Sequence, residues 1–202
     1  GAGDKERASK LENVSFLLLI LTGIALMVIF YIFMKPILYA FGASDATYPT
    51  AAAYLQIYLL GTLFVMVSVG MNLFINAQGF GTTGMITVCI GAILNIILDP
   101  IFIFVFHLGV RGAAIATVIS QFASCLWVLG FLNGKNVQFP LKRSDMKLND
   151  GKMIGSIIGL GMSGFIMCVT NSLSQIACNA TLAKWGGDLY VGAMTILNSV
   201  RE

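Results

Sequence analysis

From Ala46 to Leu98 the chain carries no Asp, Glu, Lys or Arg, and after the single acid at Asp99 the next formal charge is Arg111. A run that long without charge is stable only where little water reaches it. A bilayer-crossing helix needs about 20 apolar residues, so this run holds two crossings joined by the polar turn from Gln78 to Gly84. Composition agrees, with 57% hydrophobic residues, 10% charged residues and a mean hydropathy of +0.87, where soluble domains carry about 25% charge. The fold class that follows is an all-α integral membrane protein, a polytopic helical bundle, because helices satisfy their own backbone polar groups in lipid. A transmembrane barrel would instead alternate apolar and polar residues over strands of about ten.

Apolar segments predict full spans at about residues 13–34, 51–77, 85–106, 112–132 and 153–182, and a partial sixth opening at Asp188. Residue 1 is Gly, no signal sequence precedes the first span and the sixth segment is short. The chain is therefore expected to be an internal part of a longer, transporter-like protein. The first span is almost entirely Leu, Ile, Val and Phe, which predicts a peripheral helix facing lipid all round. Residues 133–152 form the longest connection, with Lys135, Lys142, Arg143, Lys147 and Lys152 against Asp145 and Asp150. Together with Lys5, Arg7 and Lys10 these basic residues lie on one side, and Lys35, Arg111 and Lys184 on the other. The positive-inside rule then puts residues 1–12 and 133–152 in the cytoplasm of a multi-pass plasma-membrane protein. Cys89, Cys125, Cys168 and Cys178 sit in apolar segments without metal-type spacing, as packing residues rather than a disulfide or zinc framework. The net charge of +3 is spread over loops, which predicts no nucleic-acid partner.

Asp99 stands in the stretch Gly91-Ala-Ile-Leu-Asn95-Ile-Ile-Leu-Asp99-Pro100. An acid at the centre of a membrane helix costs roughly 2.5–3.5 kcal/mol, so it marks a functional site with a partner to be named. Asn95, one turn back, is the nearest partner. Asp before Pro also suits a helix start, with Asp99 capping a new half-helix at a break. Pro100 donates no hydrogen bond to the Ile96 carbonyl, which leaves that oxygen open to a cation. Polar stripes recur on four spans: Ser68, Asn72 and Asn76; Asn95 and Asp99; Thr117, Gln121 and Ser124; Asn171, Ser174, Gln175 and Cys178. Such groups also serve as inter-helix glue. Their presence on four spans and absence from the first suits four helices lining a wet cavity, with Ser68, Asn76, Gln121, Asn171 and Gln175 as its substrate-facing residues. Gly79-Phe-Gly-Thr-Thr-Gly84 matches a dinucleotide fingerprint only in letters, since no strand precedes it, and is a tight turn. The ten Met residues suit ordinary packing.

The ordered set Gly-Ala-Gly-Asp-Lys-Glu before a span, Ala-x-x-Tyr-Leu-Gln-Ile at 51–57, Ala77-Gln-Gly79, Asn95-Ile-Ile-Leu-Asp99-Pro100, Gly112-Ala-Ala-Ile-Ala-Thr117-Val-Ile-Ser-Gln121 and Gly-Gly-Asp188-Leu-Tyr-Val-Gly-Ala-Met resembles the multidrug and toxic compound extrusion (MATE) family, in its DinF-like and MepA-like bacterial branch. The resemblance implies a twelve-helix protein of two lobes. Residues 1–132 would hold the end of helix 2 and helices 3 to 6, residues 133–152 the inter-lobe connector, and residues 153–202 helix 7 and part of helix 8. It also implies proton- or sodium-coupled efflux of cationic amphipathic molecules by rocking of the lobes. An N-lobe cation site in that branch uses positions matching Asp99, Asn95, Asn72 and Thr117. The branch also uses an acid on helix 1, which lies before residue 1. Gly164 stands where relatives often have Pro, and Asn171 lies near a position where they often have Glu.

The expected function is thus a cation-coupled multidrug efflux antiporter, a monomer when full length, with no enzymatic activity and no cofactor beyond the coupling H+ or Na+. A lipid-linked sugar flippase of the same superfamily would line its cavity with cationic residues. An intramembrane aspartyl protease would need a second acid in the membrane. A structural membrane subunit would bind no coupling ion.

Overall fold

A computed structural model describes residues 5–134, 137–142 and 150–201, and all regular structure among them is helical. The helices are α1 (Lys5–Ile32), α2 (Met34–Ala40), α3 (Tyr48–Ala77), α4 (Gly81–Pro100), α5 (Gly109–Leu132) and α6 (Gly151–Arg201), with a π-helical segment at Ile101–Val105. Five are long and apolar enough to cross a membrane. Helix α6 is broken at Gly187, whose φ of 68° and ψ of −171° lie outside the helical region, so the partial sixth segment begins where Asp188 had been expected to start it. Lys135, Arg143, Asp145 and Lys147 of the connector fall outside the described residues.

Two compact units divide the chain. The first comprises residues 1–32 and 53–155, the second residues 33–52 and 156–202. The second holds α2, which begins just before Lys35-Pro36, where the first span had been expected to close. In that unit the Tyr39 hydroxyl donates to Asp45 Oδ1 at 2.6 Å, and the Tyr39 and Tyr48 rings stack at 5.5 Å.

In the first unit the core lies between α3 and α5, where Val67, Met71, Ile75, Cys125, Val128 and Leu132 are buried together. Lipid tails are as apolar as these side chains, so close packing rather than the hydrophobic effect holds membrane helices together. Small residues set the approach. A Cβ on Gly70 would overlap Leu19 of α1, one on Gly61 would press on Val118 of α5, and one on Gly91 would come within 2.8 Å of Ser124 Oγ. Helix α1 therefore has a packed side, with Phe16, Leu19 and Ile20 against the core and Glu12, Asn13, Val14, Ser15 and Gly23 buried. This corrects the expectation of a helix facing lipid all round.

The turn at 78–80 ends α3 in a Schellman motif. Phe80 N–H donates to Ile75 O at 3.1 Å and Gly79 N–H to Asn76 O at 3.0 Å, with Gly79 at φ 91°. The ring of Phe80 packs edge-on against Phe131 at 5.2 Å.

Pro100 does not break the membrane helix. It ends α4 in helical geometry and the chain widens into a π-turn, with Phe106 N–H donating to Ile101 O at 3.0 Å and Leu108 N–H to Phe102 O at 3.1 Å. Asp99 therefore caps no new half-helix. Helix α5 begins directly against this segment, and a Cβ on Gly112 would lie 2.7 Å from the Phe102 carbonyl oxygen. Gly112→Ala is expected to cost about 1–3 kcal/mol, because backbone rather than a mobile side chain must give way. Gly130→Ala, with nothing within 4 Å, is expected to leave the melting temperature unchanged or slightly raised; thermal unfolding of both variants checks the contrast.

Asp150 caps α6, its Oδ1 accepting the Met153 N–H at 3.2 Å, and pairs with Lys10 at 3.6 Å. The Met153 amide, helped by Lys10, holds the Asp150 carboxyl below its ordinary 3.8. A lowered folded-state value makes the cap's contribution complete above the ordinary pKa and lost as pH falls through the lowered one. The Met153 amide should exchange faster with solvent on acidification below 3.8, and Asp150→Asn should remove that pH dependence, as amide hydrogen exchange will show.

Candidate functional site

Asn95 and Asp99 lie one turn apart on the same face of α4, so the spacing alone brings them together. Asn95 Nδ2 donates to Asp99 Oδ1 at 3.2 Å and to Thr117 Oγ1 of α5 at 3.3 Å. Thr117 Oγ1 donates its own proton to Ala113 O at 2.9 Å. A hydroxyl has one proton and two lone pairs, so with that proton committed Thr117 is an acceptor to its other neighbours. Tyr54 of α3 lies beside Thr117 and near Asp99. Asp99, Asn95, Thr117 and Tyr54 thus form one cluster drawn from three helices.

A cavity of about 350 Å³ adjoins the cluster, lined by residues of α3, α4 and α5 that include Asn95, Thr117, Ser68, Gln121 and Asn72. Ser68 Oγ donates to Val65 O at 3.2 Å and lies 3.5 Å from Gln121 Oε1. Thr87, Ser120 and Ser124, also in the lining, direct their hydroxyl protons to Thr83 O, Ala116 O and Thr87 O at 3.0, 2.8 and 3.2 Å. Their lone pairs are left for the cavity, so its wall offers mainly hydrogen-bond acceptors.

Asn72 is not brought to Asp99. Its Oδ1 is buried without a partner and lies 3.0 Å from where a Cβ of Gly84 would be. Gly84 precedes Asn95 by three turns of α4, about 16 Å, so Asn72 stands at the opposite end of the same cavity. Asn76 is exposed and its amide also crowds Gly84. Asn171 and Gln175 are exposed on α6, in the second unit. Tyr54, Thr87 and Ser120 were not singled out from the sequence. Ser120 sits three residues after Thr117 and four before Ser124, a spacing that would have revealed it. Nothing in the order of residues places Tyr54 beside Thr117.

Fold and site together define a polytopic membrane protein with a partnered acid inside its helical bundle. The family model MatE matches residues 1–101, half of the 202-residue chain, and the chain belongs to this family. The multidrug export protein MepA of Staphylococcus haemolyticus (strain JCSC1435) is 30% identical over 186 residues, 92% of this chain and 41% of that one. MepA of Staphylococcus aureus (strain NCTC 8325 / PS 47) is 28% identical over the same shares. Among solved structures, an inward-facing multidrug resistance MATE family transporter of the MOP superfamily superposes with a TM-score of 0.89 at 24% identity, covering 96% of this chain and 44% of that one. A MOP superfamily transporter from Pyrococcus furiosus, described as having a binding pocket of reverse polarity that suggests a different function, gives 0.85 at 23% identity over 98% and 44%. The chain thus spans less than half the length of these relatives.

Thr117→Val keeps the shape of the site and removes the acceptor of Asn95 on α5. With Asn95 short of that partner, it is expected to destabilise the first unit by about 1–3 kcal/mol, which chemical or thermal unfolding of the purified protein will measure.

Proposed function

We propose that the full-length protein is a cation-coupled multidrug efflux antiporter working by alternating access between two lobes. Asp99, Asn95 and Thr117 hold the coupling ion, H+ or Na+, and the observation that carries this reading is their hydrogen-bonded cluster in an otherwise charge-free membrane segment. A proton is taken up on the Asp99 carboxylate. A sodium ion requires oxygen ligands, and the cluster supplies them from the Asp99 carboxylate, the Thr117 hydroxyl and the Asn95 amide once that amide turns its oxygen inward. Asn72, at the far end of the cavity, contributes to the site only if the helices shift.

The export proteins among the relatives support efflux of small molecules, and an acceptor-rich wall suits the cationic, amphipathic class. Ser68 and Gln121 meet the substrate within the cavity and Asn76 at its end; Asn171 and Gln175 are substrate-facing residues of their own unit. The protein acts as a monomer without a resident cofactor, with residues 1–12 and 133–152 facing the cytoplasm. A flippase for lipid-linked sugars is disfavoured, since the cavity lining contains no Lys, Arg or His.

In the full-length protein, Asp99→Asn is expected to abolish drug efflux while membrane expression stays intact. Ethidium efflux from cells under an imposed proton gradient, and then under a sodium gradient, identifies the ion; normal efflux by the variant in both would overturn the reading.

A further inference from the structure

The most deeply buried acid in the described chain is Glu12, not Asp99. Its side chain is 1% exposed. Glu12 Oε2 accepts a hydrogen bond from Gln78 Nε2 at 2.9 Å, whereas Oε1 is buried and has no partner. Gln78 follows the last residue of α3, at the start of the Schellman turn. Its Oε1 accepts from two backbone amides of the connector, Gln138 N–H at 3.2 Å and Phe139 N–H at 3.4 Å. Beside Glu12, the fully buried Asn13 donates to Ser9 O at 2.9 Å and accepts the Lys142 N–H at 2.8 Å. The carboxyl group, the glutamine and the connector backbone form one continuous chain of hydrogen bonds within the first unit.

The charged groups on the elements packed here are Lys5, Glu6, Arg7 and Lys10 on α1, and, among the described residues of 133–152, Lys142, Asp150 and Lys152. Lys10 pairs with Asp150, and Lys142 offers its amide while its side chain is exposed. The ends of α3 and α5 at this site, residues 74–78 and 129–134, carry no ionisable side chain. No cation is hydrogen-bonded or ion-paired to Glu12 among the described residues.

We propose that Glu12 is a second proton-binding site, distinct from Asp99, and that its proton controls how firmly the connector is clipped to this end of the bundle. An ionised carboxylate presents about four lone-pair sites and here meets one donor, an arrangement costly to bury. A proton on Oε1 removes the charge and leaves Oε2 free to keep its bond from Gln78. When that proton passes to solvent, the anion draws in water or turns outward. Gln78 then follows Glu12, and the amides of Gln138 and Phe139 lose their acceptor. The clip is closed with the acid protonated and loosens as pH rises.

Hydrogen exchange of the Gln138, Phe139 and Lys142 amides in the full-length transporter, in lipid nanodiscs and corrected for intrinsic exchange, tests this from mildly acidic to mildly alkaline pH. Protection at Gln138 and Phe139 is expected to fall with rising pH by up to about tenfold per unit, the limit for one linked proton. Glu12→Gln should keep the amides protected at every pH. Gln78→Leu should expose Gln138 and Phe139 at every pH and leave Lys142, held by Asn13, protected. Asp99→Asn should reproduce the wild-type profile, which separates this site from the coupling ion. A flat wild-type profile, a profile surviving in Glu12→Gln, a profile lost in Asp99→Asn, or unchanged protection in Gln78→Leu would each overturn the proposal.

Discussion

Everything in the first unit depends on one constraint: a polar group taken into the bundle must find its partner there, since the surrounding lipid offers none. Thr87, Thr117 and Ser120 meet it locally by donating to carbonyls one turn back on their own helices, while Ser124 donates across to Thr87 O on α4. Amide side chains can also donate one turn back, as Asn13 does to Ser9 O, or can reach across, as Asn95 does to Thr117 and Gln78 to Glu12. The glycines serve the same end, because Gly84 and Gly91 on α4 bring neighbouring helices close enough for those reaches. Polar pairing and small-residue packing are one solution to the problem of holding helices together without a hydrophobic driving force.

The helical class, the number of crossings and the pairing of Asn95 with Asp99 were legible in the sequence, since each rests on length or on the α-helical period. Depth across neighbouring helices was not. A stripe fixes which way a residue faces, but not which residue of the next helix lies opposite. Asn72 shares its stripe's direction with the cavity yet stands three turns from Asn95 along α4, level with Gly84. Tyr54 faces Thr117 for the same unreadable reason of register. Glu12 looked like the last residue of a charged segment, yet it is buried against Gln78 at the end of α3, to which residues 138 and 139 are hydrogen-bonded.

Membership of the MATE family and likeness to solved transporters account for the bundle. The cluster around Asp99 gives that bundle a place where charge is held, and the cavity beside it gives a wall of acceptors. Neither would be evident from hydropathy, which treats the whole run from Ala46 to Leu98 as uniform.

The π-helical turn after Pro100 also bears on how this helix tolerates change in its length. Residues 101–105 close hydrogen-bonded rings one residue wider than those of an α-helix, so the segment holds one residue of slack between Asp99 and the start of α5. Losing one residue there would let the helix rewind as α with Asn95, Asp99 and their partners untouched, whereas losing one between Gly84 and Asn95 would rotate the acid away from Thr117. Variation in chain length is thus absorbed on one side of the proline and forbidden on the other.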